Sequence, residues 1–223
     1  MNPLEFPSLG QTWINLVYQT LQAGVAMSNE GRELLGVTVG FPAAGGADPL
    51  LEQFGNPEMI AEMKRVFFAD GPNALGHSYA SLSRGPGGRS DLQDVISMLR
   101  ADPWTKRAAL SLCGPPGGLV PCVNSIQFLV RNAEVRTFYF ARGQDAFQKF
   151  YADGLCLGLM GQKVAEELGL RQATSPVSLL PATCMTVTCR PLAGCWRARR
   201  MFWGAAPEQG GSDARLVRSP ALP

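Results

Sequence analysis

The stretch VPCVNSIQFLV, residues 120–130, sets Cys122 directly behind a proline at the head of an apolar run. Unpaired cysteines are among the most buried residue types, so taken alone Cys122 reads as core filler. The rival reading is a nucleophile, since a thiolate is the attacking form and is favoured where cations gather. The surroundings bear on the choice. FARGQDAF follows a hairpin and carries Arg142 and Asp145, and Asp153 comes shortly after at a helix start. Upstream, DPWTKRAALSL holds the adjacent cations Lys106 and Arg107, and MIAEMKRVF holds Glu62. Each has a plainer role available: Arg142 at a surface strand end, Lys106 and Arg107 as a solvated pair, Glu62 on a wet helix face, Asp145 in a loop. Gln127 is an odd polar residue in an apolar strand, otherwise a core amide bonded to backbone.

Counts remove other chemistries. His77 is the single histidine in 223 residues, so a multi-histidine metal site is excluded and no metal is expected; His77 reads as structural. The six cysteines (113, 122, 156, 184, 189, 195) have irregular spacing and no CxxC pair. In a chain this long that pattern implies reduced thiols and a cytoplasmic protein, not a disulfide framework or zinc site. A net charge of +2 supplies no field to recruit nucleic acid or an anionic membrane. No apolar run approaches the ~20 residues of a membrane helix, and MNPLEFPSLG lacks the regions of a secretory signal.

The elements that must position these residues follow from periodicity. TWINLVYQTLQAG reads as a helix stopped at Gly24, and LLGVTVGF (34–41) as a strand followed by a loop, PAAGGADP. Asn56-Pro57 opens a helix as N-cap and N1. Ser90 and Gln93 make a capping box for DLQDVISMLR, which ends before Asp102-Pro103. RAALSLC is a short strand, and SIQFLVR and VRTFYFAR form an antiparallel hairpin across Asn132-Ala133-Glu134. A last helix covers about 153–168 and stops at Gly169. Sheet and helices together imply one α/β or α+β domain.

The order P-C-x-x-x-x-Q-F, strand, R-x-x-D-x-F, acid or amide, helix resembles the thymidylate synthase superfamily, which includes the cytidylate hydroxymethylases. DPWTKR resembles the family's D-P-x-S-R-R segment, Tyr79 and Arg84 in YASLSR its Y-G-x-x-x-R, and GRELLGVTV its opening strand. The resemblance covers about residues 12–170. It implies a single-domain fold with a thymidylate synthase-like mixed β-sheet flanked by helices, and a homodimer joined through sheets. It implies Cys122 as the nucleophile that adds to pyrimidine C6, and Glu62 as the carboxylate that organises proton-moving water. Arg32, Lys106, Arg107, Gln127, Arg142 and Asp153 would contact the pyrimidine nucleoside monophosphate, with Lys106 and Arg107 serving the partner's site. Asp145 would contact the one-carbon donor, 5,10-methylenetetrahydrofolate.

Asp153 bears on the base. Uracil-using members carry asparagine there, whose amide donates to O4 and accepts from N3–H. Cytosine presents an acceptor at N3 and an amino donor at C4; a carboxylate accepts from that amino group and, if protonated, donates to N3. A helix N-cap is the plain alternative for Asp153. Cytosine implies a 5-hydroxymethyl product, by capture of water where thymidylate synthases use a folate hydride. The alternatives are a thymidylate synthase acting on deoxyuridylate, or a non-catalytic descendant that binds nucleotide or dimerises.

The pattern is broken in three places. Val123 replaces the usual histidine, Gly143 the usual serine, and the closing H-x-Y segment is missing from residues 170–223. Residues 1–180 are therefore expected to form the catalytic domain, and 181–223 an atypical tail, disordered or read in a shifted frame. The codons forced by A-T-C-M-T-V-T-C permit C-H-V-Y-D-R-D-L when read two bases later.

Overall fold

The computed structural model describes residues 4–27, 31–42, 47–70, 77–84, 91–113, 120–173 and 186–189. One helix organises the rest: α6, Phe150–Leu168, written FYADGLCLGLMGQKVAEEL. Phe150, Tyr151, Ala152, Asp153, Gly154, Cys156, Leu157, Met160 and Val164 on it are all buried, as a helix enclosed on several sides requires. It packs against α1 (Leu9–Ala23), α3 (Pro57–Phe68), α5 (Asp91–Ala101) and the strand β7 (Glu134–Ala141).

β7 belongs to a four-stranded sheet in the order β5-β6-β7-β9, with β5 at Ala109–Ser111, β6 at Val123–Arg131 and β9 at Arg171–Gln172. β5, β6 and β7 are antiparallel neighbours, and β9 joins β7 in parallel. Alternation divides β6 cleanly. Ile126, Phe128 and Val130 are buried, while Ser125, Gln127 and Leu129 on the other face are only half-buried. A second sheet has the order β2-β3-β10-β8, from Val25–Ala26, Arg32–Leu34, Thr186–Cys189 and Gly143–Asp145. β7 ends at Ala141 and β8 begins at Gly143, so Arg142 alone links the two sheets along the chain. A parallel pair, β1 (Leu4–Glu5) and β4 (Val39–Gly40), completes the sheet structure of the described residues. Residues 1–190 form one unit with an α+β layout.

Local rules account for most of these elements. The Asn56 side chain accepts from the Glu58 and Met59 N–H groups at 2.8 and 3.3 Å, with Pro57 behind it, as the sequence implies. Gly169 ends α6 at φ 65°, in the left-handed region that favours glycine. The hairpin turn is the two-residue Asn132-Ala133 with φ 54° and 59°, one residue shorter than expected; Arg131 pairs directly with Glu134. LLGVTVGF is not one strand: its first residue, Leu34, ends β3, Val39–Gly40 form β4, and Gly36 at φ 67° lies between them. The loop PAAGGADP gives way to a short helix, α2 (Pro49–Phe54), which the sequence reading passed over. Asp48 caps it and also accepts from the Gly10 N–H at 2.7 Å, tying α2 to α1. Aromatic contacts fasten α1 and α3 to α6: Trp13 donates to the Phe147 carbonyl at 3.1 Å and packs on Tyr151, whose hydroxyl accepts from Asn56 N–H. The Ser90 cap, the 182–185 part of the expected shifted frame and the tail from 190 onward lie outside the described residues. No helix among the described residues is long and apolar enough to cross a membrane.

α6 meets β7 and β9 closely at Gly161. A Cβ there would stand 2.3 Å from Thr137 Oγ1 and 2.6 Å from Gln172 Nε2. Gly161→Ala should therefore push α6 off the sheet and cost about 1–3 kcal/mol in urea-unfolding free energy; an unchanged midpoint would show that the contact yields freely.

Candidate active site

The segment from Ala141 through Asp153 crosses from β7 through β8 into α6, and it carries most of the candidate chemistry. Arg142 is exposed, yet its guanidinium is fixed: Nε donates to the Val120 and Pro121 carbonyls at 3.2 and 3.1 Å, and an Nη donates to Val120 at 3.0 Å. Its backbone N–H donates to the Cys122 carbonyl at 2.9 Å. The chain bearing the nucleophile candidate is thus clamped to the arginine that follows the hairpin. Cys122 itself is half-buried and unpaired. Tyr79, in the short helix α4 (Tyr79–Leu82), accepts at its hydroxyl from the Val123 N–H at 3.4 Å, bracing the entry to β6 from the other side.

Asp153 is 1% exposed and lies in the first turn of α6. The N-cap reading fails here, because α6 starts at Phe150 and the Asp153 N–H already donates to the Lys149 carbonyl at 2.9 Å. Its Oδ2 accepts from Gln144 Nε2 at 2.8 Å, and its Oδ1 has no hydrogen-bond partner among the described residues. Burial pushes the Asp153 carboxyl up from 3.8 to about 6, opposed by the Gln144 hydrogen bond and the Lys149 charge. The same charge reaches its neighbours. Burial first, and then Asp153, raises the Tyr79, Tyr139 and Cys156 groups above their ordinary values. Cys122 and Arg142 also act on Tyr79, so that hydroxyl stands in electrostatic reach of Cys122, Arg142 and Asp153 together.

Asp145 is half-buried at the end of β8, where its Oδ1 accepts from the Phe147 and Gln148 N–H groups at 2.9 and 2.8 Å. That carboxylate shapes the turn into α6 and acts electrostatically on Asp153. The remaining candidates stand elsewhere. Lys106 and Arg107 are exposed just before β5, and Gln127 Nε2 donates to the Lys106 carbonyl at 2.7 Å, on the sheet face away from α6. Arg32 is exposed on β3 and donates to the Gly24 carbonyl at 2.8 Å. Glu62, mostly buried on α3, pairs with Arg65 one turn on. The chain thus gathers Cys122, Arg142 and Asp153 around Tyr79, with Asp145 acting on Asp153, and sets Lys106, Arg107 and Gln127 apart as a second group.

Sequence reasoning missed Gln144 and Tyr139. Both are buried, and the Gln144 Oε1 and Tyr139 hydroxyl have no hydrogen-bond partner among the described residues. The signal for Gln144 was present in the alternation of R-G-Q-D-A: with Gly143 and Asp145 turned outward on β8, the residue between them must point in.

No family model matches the chain. A segment of 71 residues is 27% identical to a protein of Methanocaldococcus jannaschii named "Putative thymidylate synthase". The match covers 32% of this chain and 32% of that protein, so the chain spans about a third of its relative. At most, this similarity supports the thymidylate synthase superfamily.

A raised carboxyl has a defined sign in stability. Asp153 contributes most when neutral, below pH 3.8, and that contribution is lost as pH rises through about 6. Asp153→Asn should remove this loss. Its stability relative to the parent chain should climb by on the order of 2–3 kcal/mol between pH 4 and 7 in urea unfolding. Parallel pH profiles for the two proteins would mean that Asp153 ionises as if in water.

Proposed function

We propose that the chain is a pyrimidine-nucleotide C5 one-carbon transferase, acting on a cytidylate to form its 5-hydroxymethyl derivative. The carrying observation is the buried Asp153 carboxyl with one oxygen unpartnered, in the neighbourhood of Tyr79 that Cys122 and Arg142 share. A buried acceptor without a partner is costly unless a ligand supplies one, and a 4-amino group supplies a donor.

In this reading the Cys122 Sγ adds to C6 of the ring, which makes C5 nucleophilic. Arg142 holds the phosphate beside it, with Arg32 as a further phosphate contact. Glu62 orders the water that moves protons. The donor is 5,10-methylenetetrahydrofolate, which when bound supplies a one-carbon unit at the oxidation level of formaldehyde. Asp145 suits it as an acceptor: it is half-buried, at the same strand end as Gln144, and close enough to act on the base-reading carboxyl.

A homodimer follows from the same reading. The sheet face away from α6 presents Leu129, Phe138 and Phe140, none of them fully buried, beside Gln127. A second copy covering that face would bring Lys106, Arg107 and Gln127 toward its partner's nucleotide. The tail from 181 onward is proposed to be a shifted-frame replacement of the family's H-x-Y segment. β10, inside that tail, pairs in parallel with β8 and antiparallel with β3. A second reading, methylation of deoxyuridylate, is favoured by the name of the relative.

Purified protein given labelled methylenetetrahydrofolate with CMP, dCMP or dUMP separates these readings. Label should enter the cytidylates, and Cys122→Ser should reduce the rate by roughly 10³-fold or more. Label entering dUMP alone would replace the cytidylate reading with the second. Asp153→Asn should move preference toward uracil by about 10–100-fold; an unaltered preference would remove the role given to Asp153.

A further inference from the structure

Resting on that reading, we infer that Gln144 is a second specificity-determining residue: it fixes the Asp153 carboxyl from one side and offers its own Oε1 to the substrate's amino group. The geometry begins with the hydrogen bond from Gln144 Nε2 to Asp153 Oδ2, 2.8 Å long and fully buried. An ionised carboxylate only accepts, so the amide must turn its NH₂ toward it and its carbonyl oxygen away. Oδ2 is then occupied, and among the described residues the pair is left with two unpartnered acceptors, Asp153 Oδ1 and Gln144 Oε1. Both residues are at least 97% buried, at 1% and 3% exposure, so bulk water does not satisfy these oxygens.

Two acceptors carried by one hydrogen-bonded pair of side chains match a primary amino group, which has two N–H bonds to give. They repel an oxo group, which has none. Asp153 alone cannot make this discrimination fully, because one of its oxygens is already used. Gln144 supplies the missing acceptor, and its placement on β8, pinned between β7 and the turn into α6, keeps the pair in register.

The groups facing Asp153 and its neighbours are known from each element packed there. They are Tyr79 from α4, Tyr139 from β7, Asp145 from β8, Lys149 at the N-cap of α6 and Cys156 within it, with Lys64 of α3 acting on Cys156. None of these takes the place of Gln144 as donor to Oδ2. Removing the amide therefore leaves the carboxylate without its one side-chain hydrogen bond among the described residues, and the Asp153 midpoint should rise further.

The experiment measures equilibrium binding of CMP, UMP and N4-methyl-CMP at pH 7.5 to the full chain and to Gln144→Met, which keeps length and loses both polar atoms. The parent should bind CMP at least about tenfold tighter than UMP, and tighter than N4-methyl-CMP by a similar factor. Gln144→Met should lose most of the discrimination between CMP and its N4-methyl form, since the second N–H no longer has an acceptor. Equal ratios in the two proteins would overturn the inference. A second readout needs neither nucleotide nor activity: the infrared carboxyl band of Asp153, assigned by its loss in Asp153→Asn, followed against pH. Its midpoint should move upward in Gln144→Met, or in Gln144→Leu if the methionine variant does not fold. An unmoved midpoint would also overturn the inference. A parent chain that binds none of the three nucleotides, yet shows the midpoint shift, refutes the cytidylate reading and its amino-group acceptor while leaving the clamp standing.

Discussion

A carboxyl group held out of water is the constraint on which the site rests. Asp153 is enclosed in the first turn of α6 and answered, among the described residues, by a single amide, Gln144. Burying an ionisable group costs several kcal/mol unless its partners are complete, and here they are half complete. A core position with no other duty would carry an apolar residue. The chain instead surrounds the acid with Tyr79, Tyr139 and Cys156, whose own groups are raised by the same low-dielectric setting. For these four groups the burial favours the neutral form.

The fold delivers that setting by economical means. Arg142 is the one residue between β7 and β8, and it is bonded to the carbonyls just before Cys122. Two segments far apart in sequence are thereby locked at the point where the two larger sheets meet. Asp145 then turns the chain into α6 by accepting two N–H groups, which sets Asp153 in the first turn of that helix, inside the core. Tyr79 braces the same junction from α4. Cation, thiol and acid are consequences of one crossing of the chain, and a shift in any of these bonds would be felt by the others.

Much of this was legible from the residues. The Asn56-Pro57 start, the Gly169 stop and the β6–β7 hairpin follow from capping and alternation, because those rules act over a few residues. LLGVTVGF was misread because alternation is blind to a break at Gly36, and α2 was missed because Gly-rich composition masked the Asp48-Pro49 cap. In the site, the motif order picked out Cys122, Arg142, Asp145 and Asp153, all on the stretch where strand and helix signals are strongest. Alternation marks Gln144 as inward-facing, but that it meets Asp153 nine residues on is not encoded by any local period. That Gln127 stands with Lys106 and Arg107 was hidden, since pairing of β5 with β6 decides it.

The central claim is that the Cys122 sulfur bonds to a cytosine ring. It is tested most directly by incubating the protein with 5-fluorocytidylate and methylenetetrahydrofolate, then weighing the proteolytic peptides. The account predicts a mass gain of nucleotide plus one-carbon donor on the peptide containing Cys122. A peptide of unchanged mass, or a gain at Cys113 or Cys156 with Cys122 untouched, would contradict it.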